Sequence, residues 1–383
     1  MTMRQNPGAV LRAAVGRSCG RRGTALKNAV QPCAKDAARP VAKIVLRSSG
    51  RARRKRTEDL ISDMRTGERS LVSSTRMDQL YVKIWLPDQD PEIIVQISHG
   101  MMEFVDRYAD FAAFLCQNGI GVIGNDHLGH GKTAAGPAQY GYFAARDGDR
   151  ALVEDLHIVT KYIHKHYPGA RVVLLGHSMG SFLARVYMTE YSRDIAGVIL
   201  SGTGHYTPAV AGTGEFLAQA IRVFRGNFYR SPLLHRMVLG NFRKVYRDDP
   251  CPSWQTKDRE IQEEYDHNPA CQFMFTASAY VDFFKILKRL AGKKNFDRIR
   301  KDLPVLIASG SEDPVGNYGK AVLQTADELK AAGLRDVAAK IYPGDRHEIL
   351  NELDRRSVYR DFLDWIRKKA APVLNPAGSS EPK

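Results

Sequence analysis

From about residue 69 the chain alternates short apolar runs with longer stretches of helical periodicity. Residues 70–74 and 80–85 predict two opening strands, the second with apolar and polar positions alternating. Residues 93–98, 121–125, 171–175 and 197–201 are rich in Val and Ile and apolar at both parities, the pattern of strands covered on both faces. Between them, residues 108–117, 151–166 and 182–191 have helical spacing. Residues 305–308 and 338–342 add two strands around a helical segment at 318–332, and a last helix near 358–369 precedes a Pro-, Gly- and Ser-rich end. This alternation predicts an α/β fold: a mostly parallel eight-stranded sheet flanked by helices.

The alternation stops between about residues 205 and 292, which carry helices and loops but no buried-strand run. An insertion after the sixth strand lies above the carboxyl ends of the strands, where open α/β sheets bind their ligands. Residues 205–295 are therefore expected to form a helical lid, dividing the core into residues 64–204 and 296–371. Residues 1–63 and 372–383 are expected to be disordered tails.

The net charge of +15 first suggests a nucleic-acid binder, but the excess is local. Residues 1–56 carry 15 Lys and Arg against one acid, Asp36, while the remainder carries 42 bases and 41 acids. No nucleic-acid contact is expected of the folded body. The basic tail lacks apolar periodicity and cannot offset its ordering entropy. An Arg-rich, acid-poor start suits a transit peptide or a polyanion-binding arm; the alternative is an overlong reading frame whose true start is Met64. No run approaches the ~18 apolar residues of a membrane-spanning helix. Five cysteines without C-x-x-C spacing argue against a disulfide framework or zinc site and suit a reducing, cytoplasmic location.

Gly176-His-Ser-Met-Gly180 matches G-x-S-x-G. The pattern alone is weak, since a chain of this length carries it by chance roughly once in eight. Its place decides: it lies between a predicted buried strand and a predicted helix, on the turn that exposes a nucleophilic serine at its apex. Ser178 then needs a base, because a free hydroxyl is a poor nucleophile at neutral pH. His347 follows the last strand and Asp313 follows the seventh, both at the sheet edge that carries Ser178, which completes the chain order Ser, acid, His. Asp313 would orient the imidazole and stabilise its charged form without taking the proton. Glu312 competes for that role but lacks the rigid Asp-Pro turn. Asp345 is too near His347 in sequence to reach behind the ring.

Acyl transfer also needs two N–H donors for the developing oxyanion. Met179, directly after the nucleophile, and Met101, in the His99-Gly100 turn after the third strand, are the expected donors. The 125–133 loop holds Asp126, His127 and His130. Two glycines and an H-x-x-H in so tight a loop point to satisfied backbone groups, and no metal is expected there.

His99-Gly100 with Glu103 and Arg107-Tyr108, the 126–131 loop, residues 176–180 and the Asp313 and His347 loops together resemble the α/β-hydrolase superfamily over about residues 70–370. Within it they are similar to the monoacylglycerol lipase and lysophospholipase-like branch, with a serine aminopeptidase S33-type domain. The resemblance implies Ser178, Asp313 and His347 as the triad, the Met101 and Met179 amides as the oxyanion hole, and no metal or organic cofactor. It also implies that Glu103 and Arg107 shape the polar end of the pocket near a glycerol-like head group. Met101-Met102 stand where that branch has smaller residues, which is expected to narrow the acyl mouth.

Residues 216–247 hold seven Lys or Arg and no acid, and Leu217, Ile221, Phe224 and Phe228 recur at helical spacing. Such a helix either lies in the head-group layer of an anionic membrane or packs its stripe on the sheet domain with its arginines solvated; the second is preferred for the stripe as a whole. The expected function is a serine carboxylester hydrolase acting on a small single-chain lipid ester, a monoacylglycerol or lysophospholipid, through an acyl-enzyme on Ser178. The rivals are a peptidase, which needs an acidic lid group for a substrate amine, an acyltransferase, which differs only in acceptor, and a non-catalytic tether that uses the basic tail.

Overall fold

The computed structural model describes residues 64–370 apart from Asn241 and Gly292, so the expectations for 1–63 and 372–383 lie outside it. Eight strands form one sheet in the order β1-β2-β4-β3-β5-β6-β7-β8. They are β1 Arg65–Val72, β2 Gln79–Leu86, β3 Ile93–Ser98, β4 Gly121–Asn125, β5 Arg171–His177, β6 Gly197–Ser201, β7 Val305–Gly310 and β8 Val337–Tyr342. From β4 across to β8 neighbours run parallel, while β2 is antiparallel to both β1 and β4. β3, β4 and β6 are buried at every position, as their unbroken apolar runs predict. β1 starts five residues before the predicted strand. Its side chains are largely exposed, and pairing with β2 from Arg65 opposite Leu86 extends it where no apolar pattern does.

Helices cover both faces. α1 (Ala109–Cys116) and a C-terminal helix pack with Trp85, Val95, Val122 and Val173 on one face. On the other lie α2 (Gly148–His166) and α3 (Met179–Tyr191), packed with Ile94, Ile123, Val172 and Leu174. Among the described residues between β6 and β7 the chain forms only helices and turns. Of these, α4 (Pro208–Arg225) and α5 (Pro232–Leu239) begin alike: Thr207 and Ser231 accept an amide hydrogen from the first turn, and a proline follows at its first position. α6 (Arg259–His267) follows. α7 (Ala277–Leu290) is buried along most of its length; it packs on α2 and α3 and carries α4 on its other side. The inserted segment thus contributes a helix to the main core. α8 (Lys320–Ala331) and α9 (Arg355–Ala370), the C-terminal helix, complete the layers.

The chain is tightest where β5 meets α3. Ser178 has φ 50° and ψ −119°, a conformation that costs a side-chain-bearing residue about 1–3 kcal/mol. Its amide donates to the Ser201 carbonyl at 2.9 Å, which ties the turn to β6. A methyl on Gly180 would lie 1.9 Å from the Ser98 oxygen, and one on Gly176 would lie 2.4 Å from the Gly180 oxygen. Both obstacles are backbone, so neither position accepts a side chain without displacing β3 or the turn. Gly180→Ala is expected to destabilise the protein by about 2 kcal/mol or more and to displace Ser178, read as a drop of several degrees in Tm with loss of esterase activity; a variant as stable and active as the parent would refute this packing.

Candidate active site

β5, β7 and β8 deliver Ser178, Asp313 and His347 to the same edge of the sheet. Ser178, half-buried, sits between β5 and α3. Asp313, fully buried, accepts at Oδ1 from His347 Nδ1 (3.0 Å) and the Val315 amide (2.9 Å), and at Oδ2 from the Ser309 hydroxyl (2.5 Å). Burial by itself pushes Asp313 up, but the charge and hydrogen bond of His347, with those of Ser309 and Val315, hold its carboxyl below the ordinary value. The same pairing works the other way on His347: burial lowers it, Asp313 more than offsets that, and the net shift is upward.

His347 lies between His177 and Trp254, with ring centroids 4.8 and 4.9 Å away. Burial and the charge of His347 push His177 down to about 3, so it stays neutral beside His347. His347 Nε2 is buried and makes no hydrogen bond to the protein, which leaves it able to take a proton. Two glycines let the elements close. A methyl on Gly202 would lie 2.8 Å from His347 Cε1, and one on Gly100 would lie 3.0 Å from Ser178 Cβ. Of the competing acids, Glu312 turns to Lys257 at 3.0 Å, and Asp345 is pushed up to about 7 by burial and by Asp354 and Glu352.

Met179 opens α3, so its amide is one of the unpaired donors at that helix's start. Met101 lies in the turn after β3 beside Gly100; among the described residues neither amide donates to a backbone carbonyl. Met102 takes φ 59°. In the 125–133 loop, Asp126 accepts the Val105 amide at 2.8 Å and the Lys132 amide at 2.7 Å, which spends its carboxylate on backbone. Burial keeps His127 and His130 neutral, at about 3 and about 4.

A cavity of about 750 Å³ adjoins this edge through Met102 and through Trp254, which packs on His347; Ser178, Asp313 and His347 are not among its lining residues. Pro232, His235, Arg236 and Leu239 of α5 line it, with Tyr265, Phe273 and Met274. No Asp or Glu lines it.

The sequence pattern of the serine aminopeptidase S33 family matches residues 89–354. The chain belongs to that family, one of the α/β-hydrolases. Human monoglyceride lipase is 25% identical over 316 residues, 79% of this chain and 90% of the human protein. A monoacylglycerol lipase of Mycolicibacterium smegmatis is 25% identical over 311 residues, 77% of this chain and 99% of its own. The crystal structure of a thermostable carboxyl esterase from Bacillus coagulans, in complex with glycerol, superimposes with a TM-score of 0.74 at 27% identity, covering 80% of this chain and 99% of the esterase.

In this S33-family chain Glu103 and Arg107 are drawn into a buried network and do not line the cavity. Arg107 Nη1 bonds Glu103 Oε2 at 3.0 Å, and Nη1 and Nη2 grip both oxygens of Glu348 at 3.0 and 2.7 Å. Glu103 Oε1 accepts from Tyr108 and from the Gly100 amide. Burial alone would raise Glu348, but the Arg107 guanidinium holds it at about 2; at Glu103 burial, with the charge of Glu348, outweighs Arg107 and the carboxyl is raised. One guanidinium therefore ties the turn carrying Met101 to the loop carrying His347. Sequence reasoning missed Glu348, although it adjoins His347, and also Trp254 and Ser309, which no motif marks.

Because Asp313 raises His347 above the ordinary ~6.5 of histidine, the acid limb of kcat/KM on a short ester is expected above that value, with activity appearing as His347 loses its proton. Asp313→Asn should lower kcat about 10⁴-fold and move any residual limb downward. A limb that stays in place in that variant would show that Asp313 does not set the base.

Proposed function

We propose that this chain is a serine carboxylester hydrolase that cleaves the acyl ester of single-chain lipids, monoacylglycerols first. Ser178 attacks the acyl carbonyl, and His347 takes its proton at Nε2 while Asp313 holds the ring. The Met101 and Met179 amides stabilise the oxyanion by a few kcal/mol. His347 returns the proton to the leaving alcohol, and water, activated by the same imidazole, releases the acid. The observation that carries this reading is the buried Asp313–His347 pair, with the second imidazole nitrogen unpartnered and with Trp254, which lines the cavity, packed on the imidazole. The names of the monoglyceride lipase relatives and of the esterase support the substrate class.

The family's description is aminopeptidase, yet the cavity offers no carboxylate to hold a substrate α-amine. That chemistry favours a lipid ester over a peptide. A second reading, lysophospholipid, is favoured by Arg230 and Arg236, the two arginines among the residues lining the cavity. Ser178→Ala is expected to lose at least ~10³-fold of kcat with Tm within a few degrees of the parent, measured across monoacylglycerols, lysophospholipids, short esters and aminoacyl arylamides. Ester turnover retained by that variant would exclude the mechanism, and preferred arylamide turnover by the parent would exclude the substrate class.

The finer proposal concerns where the enzyme meets its substrate. The apolar stripe divides: Leu217 and Ile221 pack against the core, Phe224 near the end of α4 is 85% exposed, and Phe228 lies beyond the helix, which stops at Arg225, 63% exposed with its ring against Tyr142. Phe216 and Val223 are exposed beside them, among arginines 222 and 225. We propose peripheral docking of this end of α4 and the turn after it on an anionic membrane, the phenyl groups entering the head-group layer. No helix among the described residues is long and apolar enough to cross a membrane. Cys116, Cys251 and Cys271 are free and buried, in keeping with the proposed cytoplasmic location. The protein is expected to sediment with anionic vesicles at low salt; Phe224→Asp with Phe228→Asp should weaken this severalfold, and Arg222→Glu with Arg225→Glu should remove its salt dependence. Unchanged sedimentation of both variants would exclude α4 as the docking element.

A further inference from the structure

The turn that carries Met101 is held by side chains whose hydrogen-bonding roles can be worked out. His99 is fully buried. Its Nε2 lies 2.9 Å from the backbone nitrogen of His127; that group can only donate, so Nε2 is the acceptor. In a neutral ring the proton then sits on Nδ1. Nδ1 lies 2.8 Å from the Gly100 carbonyl oxygen, which can only accept. Two independent partners assign the same tautomer. Burial, reinforced by the neighbouring His127 and His130 rings, holds His99 well below the ordinary histidine value and therefore neutral.

The Gly100 carbonyl belongs to the peptide unit that also carries the Met101 N–H. In a trans peptide the C=O and N–H point in opposite directions, so a donor that holds the oxygen aims the amide hydrogen the other way. This matters at Gly100, which has no side chain to resist rotation. A rotated peptide would turn its carbonyl toward the oxyanion and replace an attraction with a repulsion. The preceding peptide is held separately, by Glu103 on the Gly100 N–H. Gly100 itself backs onto Ser178.

Resting on the ester-hydrolase reading above, we propose that His99 is a positioning residue: its Nδ1–H holds the Gly100–Met101 peptide so that the Met101 amide faces the oxyanion. His99 touches no substrate atom and acts through Met101. Its effect falls on the transition state, where the charge develops, and not on ground-state binding.

The test uses the full chain and a short p-nitrophenyl ester. His99→Asn keeps a donor at the Nδ1 position, whereas His99→Gln places its amide at the Nε2 position and leaves the Gly100 carbonyl without a donor. His99→Ala and His99→Gln are expected to lose about 100-fold in kcat with KM within about threefold, and His99→Asn to recover at least tenfold of that loss. Inhibition by a trifluoromethyl ketone, whose adduct bears the oxyanion, should weaken in parallel with kcat, while binding of a non-hydrolysable alkyl ether should not change. Equal kcat in the Asn and Gln variants, or a loss confined to KM, would overturn the proposal, and because both variants are polar and of similar size this comparison holds even if His99→Ala fails to fold. Ser178→Ala is run in the same assay: if it remains active, the ester-hydrolase reading falls and this inference with it, whereas a Ser178-dependent activity indifferent to His99 removes this inference alone.

Discussion

A serine held at positive φ between a buried strand and a helix is the constraint on which the site depends. The turn is possible only because Gly176 and Gly180 leave no side chain between β5, α3 and the backbone of β3. Its strain of about 1–3 kcal/mol is offset by the burial of β5 at the centre of the sheet, flanked by β3 and β6. The elbow in turn sets everything else. It places the Met179 amide at a helix start, and it brings the Ser178 hydroxyl to the edge where the loops after β3, β7 and β8 end.

Charge is concentrated at that edge, and the buried groups of Asp313, Arg107 and Glu348 are paired. Isolated carboxylates and guanidinium groups are costly to bury, and removing one member of a buried pair leaves the other uncompensated. Asp313 is held by three donors, one of them the imidazole it orients. Arg107 is shared between Glu103 and Glu348, two residues that adjoin the turn carrying Met101 and the loop carrying His347. Such networks do little for net stability, but they lock geometry. Here they fix two loops 241 residues apart in sequence relative to one another. The adjoining cavity is free of carboxylates.

The inserted helices have two tasks. α7 is a core element of the larger hydrophobic cluster, and Leu217 and Ile221 of α4 join it. The exposed end of α4 and the wall formed by α5 face outward or into the cavity. Within residues 216–247 Leu217, Ala218, Ile221 and Leu234 join the core, while Arg230 and Arg236 line the cavity, because burying an unpaired guanidinium costs far more than solvating it.

Much of this was legible in the sequence because it rests on local rules. Strands buried on both faces announce themselves as unbroken Val- and Ile-rich runs, and β3, β4 and β6 begin and end where those runs do. The Gly176–Gly180 spacing marks a turn that only glycine allows, and the Asp313 and His347 loops follow strands whose order sets the sheet edge they share. The start of β1 was not legible, since its pairing is made by backbone hydrogen bonds that leave no trace in side-chain polarity. Nor was the partnership of Arg107 with Glu348, of Trp254 with His347 or of His99 with the Gly100 carbonyl, nor the division of the α4 stripe between core and solvent. Periodicity and motif spacing report what a residue needs from its neighbours in the chain. Which distant group answers a buried charge, a ring nitrogen or a carbonyl is decided only when the elements pack, because those energies depend on distances that the linear order does not contain.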